Sequence, residues 1–372
     1  MANRHPARVL SWGRGFVVVA VTLTLAACTS SDRAATEPTP SASTSLPTTP
    51  TGSTESTTVP APPTTFPAAG KTSSVPLERV VERQVSVEGG GGPDWMTVGF
   101  GSLWVKRDNN VVARIAPDGT ILATIDPGVF AEPVCQGLGV SDHAVWGCAA
   151  PGKIARIDPR TNKVSAIVDI PKVNEQGRIP AYDGRVWLLT GDGDRLVGLS
   201  ERTNRPDATI PLGIFCTDVV DRPVEQILWV ACPYDDAVLR VDLRAGKVTG
   251  QITGLAEASA AVAGEASVWV CTKTGLAQVD VATMSVATVQ PMPAGLACSL
   301  RLIGKELWVR TGWRTSPFLS RIDTSSGQLV QIVERAGRIS GGDVIDFAGA
   351  LWVSSFEQGL VFKLDPRRLQ AG

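Results

Sequence analysis

Residues 101–105 read Gly-Ser-Leu-Trp-Val, and variants of this short run return along the rest of the chain. Each variant centres on a tryptophan that follows Leu or Val, and successive tryptophans are 39 to 44 residues apart. The seven positions are Trp104, Trp146, Trp187, Trp229, Trp269, Trp308 and Trp352. A self-similar unit of this length is the signature of a repeat architecture, in which neighbouring units bury each other's apolar faces.

The first unit divides into four short apolar segments separated by turn residues. The segments are 95–100, 103–105, 111–115 and 120–125. The same order recurs in the later units, and no helical segment lies between them. Seven units of four antiparallel strands predict an all-β fold, a seven-bladed β-propeller. We expect the seven tryptophan rings to fill the wedges between blades; the alternative is an aromatic stacking platform.

The seventh unit is short of one strand. Its third strand is predicted at residues 361–365, and the sequence ends at Gly372 without a fourth. Residues 80–87 precede the first unit and resemble residues 329–334 in their apolar pattern. We therefore expect the N-terminal segment to supply the outer strand of the last blade, which removes an exposed sheet edge.

The N-terminus reads as an export signal. Three arginines within the first 14 residues precede an apolar run at residues 16–27, which is too short to span a bilayer. The run ends in Leu25-Ala26-Ala27-Cys28, which resembles a bacterial lipoprotein signal. We expect removal of residues 1–27, acylation of Cys28 with palmitate-type chains and anchoring to the cell membrane outside the cytoplasm. The alternative is a plain secretory signal that is cleaved nearby.

Residues 28–76 are rich in Ser, Thr and Pro, with almost no large apolar side chain. Such a segment cannot bury enough surface to offset its chain entropy, so we expect a disordered linker that lifts residues 77–372, the propeller, off the membrane. The formal net charge is −1, and loss of the three signal arginines makes it −4. This mild acidity gives no electrostatic reason to expect nucleic acid as a partner.

Six cysteines follow Cys28, an even number that suits an oxidising compartment. The repeat frame places Cys135 opposite Cys148 across one hairpin and Cys216 opposite Cys232 across another, which suits two disulfides. Cys271 and Cys298 would then form a third disulfide between blades five and six. Metal binding is the rival, but no Cys-x-x-Cys pair supports it, and we predict neither a metal nor a cofactor.

Three stretches carry a resemblance to a known group of proteins. VGFGSLWV at 98–105, ARIDPRTNKV at 155–164 and RIDTSSGQLV at 321–330 resemble the bacterial extracytoplasmic propellers of the YVTN/NHL-like and virginiamycin B lyase-like superfamily. The resemblance implies the propeller fold and a superfamily that mixes enzymes, binders and scaffolds. Its lyase branch uses a channel-face histidine as acid and base. After residue 27 this sequence has only His143, in a turn predicted on the opposite face, so we assign no catalytic residue.

In propellers of this kind, the loops between second and third strands and between blades lie on one face around the channel. We expect the ligand to bind there. The candidate residues are Asp94, Trp95, Arg107, Asp108, Asp192, Asp194, Asp218, Tyr234, Asp235, Asp236, Trp313, Arg314, Phe356 and Glu357. The longest of these loops, 311–320, carries Trp313, Arg314 and Phe318; we expect a recognition anchor there, or else a plug over the channel. Gly191-Asp192-Gly193-Asp194 fits an ordinary turn better than a calcium loop.

The sequence thus predicts a monomeric, membrane-anchored propeller that binds or organises an envelope protein or glycan. An accessory subunit of an envelope transporter or kinase would differ only in its partner. The alternative is a virginiamycin B lyase-like or other propeller enzyme acting at the channel face.

Overall fold

The structure is a computed structural model that describes residues 64–65, 72–87, 91–129, 136–173, 177–190, 193–220, 224–291, 298–311, 317–337 and 341–370. The chain divides into two units, Met1–Val59 and Pro60–Gly372, and all of the described residues belong to the second. The predicted signal, the lipidation site Cys28 and most of the predicted linker lie outside the described residues.

The described residues form seven separate sheets, each with four antiparallel strands in the order of a propeller blade. The strands of blades one to three are Pro93–Gly99, Ser102–Arg107, Val112–Ile115, Ile121–Ile125; Leu138–Val140, Val145–Ala150, Lys153–Asp158, Lys163–Asp169; and Ala181–Tyr182, Arg185–Thr190, Arg195–Ser200, Arg205–Pro211. The prediction of a seven-bladed β-propeller is confirmed.

Blades four to seven continue the same order from the inner to the outer strand. Their strands are Asp218–Val219, Ile227–Cys232, Ala237–Asp242, Lys247–Ile252; Ala260–Ala263, Ser267–Thr272, Gly275–Asp280, Ser285–Gln290; Cys298–Ile303, Glu306–Thr311, Leu319–Asp323, Gln328–Glu334; and Val344–Phe347, Ala350–Ser355, Leu360–Leu364 with the N-terminal Val81–Ser86. Short helices cover Leu77–Val80 and Pro366–Gln370, and 3₁₀ turns cover Pro233–Asp235 and Phe356–Gln358.

The N-terminal strand closes the last blade, as the sequence predicts. Val81–Ser86 pairs antiparallel with Leu360–Leu364, and Ser86 lies opposite Leu360. Val85 in this strand is buried, as are Val80 and Val87 at its two ends, so this segment completes both the ladder and the apolar core of the blade. Closure therefore leaves blade seven with the same four strands as the others.

The N-terminal segment contributes more strand than the sequence predicts. Ser73–Pro76, which we assigned to the disordered linker, pairs parallel with the outer strand of blade six, and Val75 is buried there. Thr64–Thr65 pairs parallel with the outer strand of blade five. The boundary at residue 76 is therefore placed too late, because Val75 finds an apolar partner surface that the Ser/Thr/Pro composition of the segment did not suggest.

Burial along the blades follows their position between neighbours. The second strand Ser102–Arg107 is buried at every residue, since both faces of an inner strand pack against adjacent blades, whereas the outer strand Lys163–Asp169 alternates exposed and partly buried residues. All seven repeat tryptophans are buried, with at most 4% of their surface exposed. They are core residues, which confirms the expected packing role and excludes the stacking platform.

Arginines of the third strands tie one blade to the next. The Arg114 guanidinium lies over the Trp104 ring of its own blade and donates to Pro159 O and Asn162 Oδ1 of blade two. Arg156 repeats this arrangement one blade later, over Trp146 and with Asn204 as acceptor. Because each arginine combines a cation–π contact with hydrogen bonds, it fixes the angle between neighbouring blades.

Two of the predicted disulfides are present. Cys216–Cys232 has a Cα–Cα distance of 3.9 Å, and Cys271–Cys298 joins blade five to blade six with a Cα–Cα distance of 6.4 Å. Cys135 lies outside the described residues, so its pairing with Cys148 stays a prediction. The disulfides indicate an oxidising compartment. In the part of the chain that the structure describes, no helix is long and apolar enough to cross a membrane.

Candidate functional site

Polar side chains converge where the inner strands begin, at one end of the channel. Asp218 and Ser299 occupy the same register position of blades four and six, each opposite the residue two places after the blade's tryptophan. Asp343 holds the equivalent position of blade seven, where its carbonyl accepts the backbone N–H of Ser354. The repeat therefore places polar residues of blades four, six and seven on the same ring around the channel, whereas blade five has Ala260 at this position.

Arg178 connects this ring. It lies in the segment between blades two and three, yet its guanidinium donates to the Asp343 carboxylate at 2.9 Å and to Ser299 Oγ at 3.0 Å. The same guanidinium lies over the Trp95 ring, 4.7 Å from the centroid. Asp343 is fully buried and also accepts the backbone N–H of Met96 at 2.9 Å. One arginine thus joins groups from blades one, six and seven.

We call this group the channel-mouth cluster. Its members are Asp94, Trp95, Arg178, Asp218, Ser299 and Asp343.

Two carboxyl groups of the cluster titrate near neutrality. Burial raises the pKa of Asp218 to about 7, and the nearby positive charge of Arg178 opposes the rise. Burial also raises the pKa of Asp94 to about 7, with further upward contributions from the negative charges of Asp343 and Asp108. Near pH 7 each group therefore exchanges between a carboxylate acceptor and a carboxyl that can also donate.

Three buried polar atoms around the cluster have no hydrogen-bond partner among the described residues. They are the Trp95 Nε1 donor and the Oδ1 acceptors of Asp108 and Asp218. Asp218 is 6% exposed. Buried polar atoms nearly always have a partner, because an unmade hydrogen bond carries the full desolvation penalty of the group. Each of these three atoms would therefore gain a hydrogen bond from a ligand or water molecule that reached it.

Blades one, six and seven bury a charged or polar residue at a position where the other blades bury an apolar one. The residue two places after the tryptophan is buried in every blade: in order, Lys106, Cys148, Leu189, Ala231, Cys271, Arg310 and Ser354. The polar members belong to blades one, six and seven, the same blades whose residues contact Arg178. Burying a cation is expensive unless it is paired, so the cations of this sector require hydrogen-bond partners in the surrounding chain.

The buried cations of this sector hold the loops at the channel mouth. Arg310 donates to Gly341 O at 3.0 Å and lies over the Phe318 ring, 4.2 Å from its centroid. Burial lowers its pKa to about 9. Lys106 Nζ donates to Asn110 Oδ1 at 3.3 Å, and burial lowers the pKa of this lysine to about 7. Their partners are largely backbone carbonyls and an amide, so they position chain segments around the site.

The structure separates the predicted site residues into distinct places. Asp94, Trp95 and Asp218 meet in the channel-mouth cluster, and Asp108 lies beside it. Tyr234 and Asp235 are exposed in the 3₁₀ turn after the second strand of blade four. Asp194 pairs with Arg195 at 2.9 Å, and Asp236 Oδ1 accepts the backbone N–H of Glu257.

Other predicted residues lie elsewhere. Phe356 is half-buried beside Gly92, and the neighbouring Glu357 is exposed. Arg107 was expected on the open face but is fully buried, since it ends an inner strand and donates to Gly91 O at 3.3 Å. Phe318 was expected on an exposed loop but is also fully buried, because it packs between Arg310 and Phe362. Asp192, Trp313 and Arg314 lie outside the described residues.

Sequence reasoning missed the residues that organise the cluster. Arg178 lies between blades two and three, yet it stands nine residues before Trp187, just as Ser299 and Asp343 stand nine residues before Trp308 and Trp352. Asp343 and Ser299 gave a signal that could have been used, because they share a repeat position with Asp218. Aligning the repeats at that position would have brought them together.

His143 lies at the other end of the channel, as expected. It occupies the turn after Leu138–Val140, whereas Arg178 bridges to Leu138 at the start of that strand. There His143 lines a cleft of about 530 Å³ with Phe100 and Arg160. Within the described ranges, no group of three or more His, Cys, Asp or Glu side chains is arranged to hold a metal ion.

Comparison with known proteins finds solved structures with a similar fold. No protein-family model and no curated protein sequence matches the chain. A streptogramin B lyase structure superposes with a TM-score of 0.60 at 14% identity, covering 76% of this chain and 96% of that one. The virginiamycin B lyase from Staphylococcus aureus superposes with a TM-score of 0.59 at 15% identity, covering 76% and 98%.

A computationally designed protein, Ika8, superposes with a TM-score of 0.52 at 14% identity, covering 75% of this chain and 98% of that one. Sequence identities this low establish the propeller fold alone, because one fold hosts many unrelated functions. The resemblance to virginiamycin B lyase-like propellers is confirmed at the level of fold.

Proposed function

We propose that this protein is a lipid-anchored, extracytoplasmic binding module that holds an envelope protein or glycan at its channel-mouth cluster. The observation that carries the proposal is the set of buried polar atoms around Arg178 that have no hydrogen-bond partner in the described part of the chain. A ligand that satisfied Trp95 Nε1 and Asp218 Oδ1 would replace a desolvation penalty with two hydrogen bonds. Such convergent polar groups at the mouth of a propeller channel fit a recognition site.

The location outside the cytoplasm is supported by the two disulfides and by the apolar segment that ends in Leu25-Ala26-Ala27-Cys28. Acyl chains on Cys28 would hold the protein on a membrane, since each buried methylene adds about 0.8 kcal/mol. The intact mass of protein extracted from membranes should show an acylated Cys28 as the first residue. An unacylated chain that begins elsewhere would refute the anchor.

A photo-crosslinking amino acid tests the site itself. We would place it at Trp95 in the cluster and, as a matched control, at Phe100, which is 37% exposed at the other end of the same strand. Irradiation of intact envelopes should give an adduct at position 95 and none at position 100. Equal adducts at both positions, or none at 95, would refute channel-mouth binding.

A second candidate is an enzyme that uses acid–base chemistry at the same site, in the manner of a virginiamycin B lyase-like or other propeller enzyme. The observation that favours it is that Asp94 and Asp218 both have a pKa raised to about 7, the range that suits a general acid or base. His143, at the far end of the channel, takes no part in such a step. If the ligand identified by crosslinking is converted to a product by the parent protein and not by Asp218→Asn, the protein is an enzyme. If the ligand binds without conversion, the protein is a binding module.

A further inference from the structure

Two exposed aromatic rings lie beside the channel mouth, on the rim of blade four. Phe215 and Tyr234 pack edge to face with ring centroids 5.0 Å apart. Phe215 is 36% exposed and Tyr234 is 80% exposed. The Cys216–Cys232 disulfide joins the two segments that carry them, next to Phe215 and two residues before Tyr234.

This aromatic pair is held rigidly although it adds little to the core. The disulfide fixes its base, and Gly193 packs directly against the Cys216 backbone, where a Cβ atom would clash with Cys216 O. Exposed aromatic side chains on a rigid frame lose little conformational entropy on binding, so they are effective contact surfaces. The frame leaves most of the Tyr234 ring open to solvent.

The aromatic pair lies close to the channel-mouth cluster along the chain. Phe215 precedes Asp218 by three residues, and three residues span at most about 10 Å. The connecting segment runs from the rim to the inner strand that begins at Asp218. A chain-like ligand of two or three ring-sized units could therefore contact Tyr234 and Asp218 together.

The chemistry along this surface is that of a ligand with both donors and acceptors. Among the described residues, the cluster offers an unpartnered N–H of Trp95 and an unpartnered carboxyl oxygen of Asp218, and Asp108 beside it offers another. A hydroxyl group can donate to the carboxyl oxygens and accept from the indole. The raised pKa of Asp218 agrees with this, because a neutral carboxyl does not require a cation as partner.

Local charge argues against an acidic ligand. Around the aromatic pair, Asp194 is paired with Arg195 at 2.9 Å, and Glu257 is paired with Lys273 at 2.5 Å. Asp236 is occupied by the backbone N–H of Glu257. Asp235 and Asp236 carry charge beyond these two ion pairs, so the rim is mildly negative and repels an anionic partner.

We propose that the ligand is a carbohydrate chain, with a sugar ring against Tyr234 and Phe215 and with hydroxyl groups at Asp218 and Trp95. The inference rests on the proposed function, since it names the ligand of the same channel-mouth site. The apolar face of a sugar ring matches the open aromatic ring, and its hydroxyls match the mixed donors and acceptors.

The test uses the full chain and defined probes: soluble hexamers of glucose, mannose, galactose, arabinose and N-acetylglucosamine. Binding is measured by isothermal titration, and ring contact by saturation-transfer NMR from the aromatic protons. At least one hexamer should bind, and Tyr234→Ala should weaken it by about tenfold. The control Phe100→Ala should leave binding unchanged, because Phe100 is another exposed aromatic residue, 37% exposed, at the opposite end of the channel.

The outcomes separate the carbohydrate assignment from the proposal that this protein is a binding module. If none of the five hexamers binds, or if Tyr234→Ala binds as well as the parent, the carbohydrate assignment is overturned. A protein adduct at position 95 in the crosslinking experiment would overturn it as well, while leaving the binding module intact. If position 95 captures nothing, the proposed function fails too.

Discussion

Arg178 and Asp343 are 165 positions apart in the sequence, yet the guanidinium Nη2 lies 2.9 Å from the carboxylate Oδ1 at the mouth of the channel. The Asp343 side chain is fully buried and the Arg178 side chain is 9% exposed. The fold tolerates such a buried ion pair only when both partners are present, because either charge alone would be buried without compensation. The pair therefore couples the connection before blade three to blade seven.

Removing the arginine should destabilise the propeller. Arg178→Met leaves the buried Asp343 carboxylate without its cation, and we expect a loss on the order of 3 kcal/mol in the free energy of unfolding. The double variant Arg178→Met/Asp343→Leu removes both charges and should recover much of that loss. Denaturant unfolding of the four proteins in the cycle gives the coupling energy.

The matched control is Arg185→Met, whose partner Asp207 lies 2.7 Å away in a pair that is about one-third exposed. Solvent screens such a pair, so its loss should cost less than about 1 kcal/mol. If Arg178→Met were no more damaging than Arg185→Met, the role assigned to the buried pair would be wrong.

The pH dependence of stability should report Asp218. Its folded pKa, about 7, lies above the unfolded value of 3.8, so the folded state binds the extra proton between these limits. Protonation of Asp218 therefore stabilises the folded state fully below pH 3.8, and this stabilisation is lost as the pH rises towards 7. Asp218→Asn removes this loss. The free energy of unfolding of the variant, relative to that of the parent, should therefore increase by on the order of 2 kcal/mol between pH 4.5 and 7.5.

Thermal unfolding of both proteins at the two pH values measures the effect. Asp118→Asn is the control, because a backbone hydrogen bond from Thr120 lowers the pKa of the Asp118 carboxyl, which therefore acts below pH 4. Its effect should be the same at both pH values. A constant difference between Asp218→Asn and the parent would contradict the raised pKa of Asp218.

The disulfide between blades five and six should stabilise the closed ring. Cys271 and Cys298 enclose a separation of 27 residues, and the double change Cys271→Ser/Cys298→Ser should lower the free energy of unfolding by about 2–4 kcal/mol. Reduction of the parent protein should lower its denaturation midpoint, whereas the same treatment should affect the variant less. An unchanged midpoint in the double variant would show that blade packing alone holds this junction.

N-terminal truncations should separate the tether from the propeller. A chain that begins at residue 72 should melt within about 2 °C of the parent, whereas one that begins at residue 88 loses the closing strand and the buried Val80, Val85 and Val87. A chain that begins at residue 77 lacks only the strand Ser73–Pro76 and should fall between them. If all three melted together, closure by the N-terminal strand would be wrong.

The repeat made much of the fold predictable from the sequence. Trp104 and its six counterparts define the blades, because each unit is local in sequence and carries its own strand periodicity. The same frame placed Cys271 beside Cys298 and residues 80–87 beside blade seven. It missed the pairing of Ser73–Pro76, since that strand adds to an outer edge that has no repeat of its own.

The site was only partly predictable. Asp94, Trp95 and Asp218 were expected on the channel face, and the structure places them together. Arg178 stands nine residues before Trp187, as Ser299 and Asp343 stand before their own tryptophans, but it was not found because its contacts with them cross the channel and join distant parts of the sequence. Phe318 was misplaced because loop length alone does not reveal that a side chain folds back into the core.

The central claim is that the channel-mouth cluster is where the ligand binds. The most direct measurement is the amount of envelope material retained by immobilised full-length protein, compared among the parent, Trp95→Ala and His143→Ala. We predict that Trp95→Ala remains folded but loses about tenfold or more of the retained material, whereas His143→Ala, altered at the other end of the channel, retains as much as the parent. Equal retention by Trp95→Ala and the parent, or loss of retention in His143→Ala alone, would contradict the account.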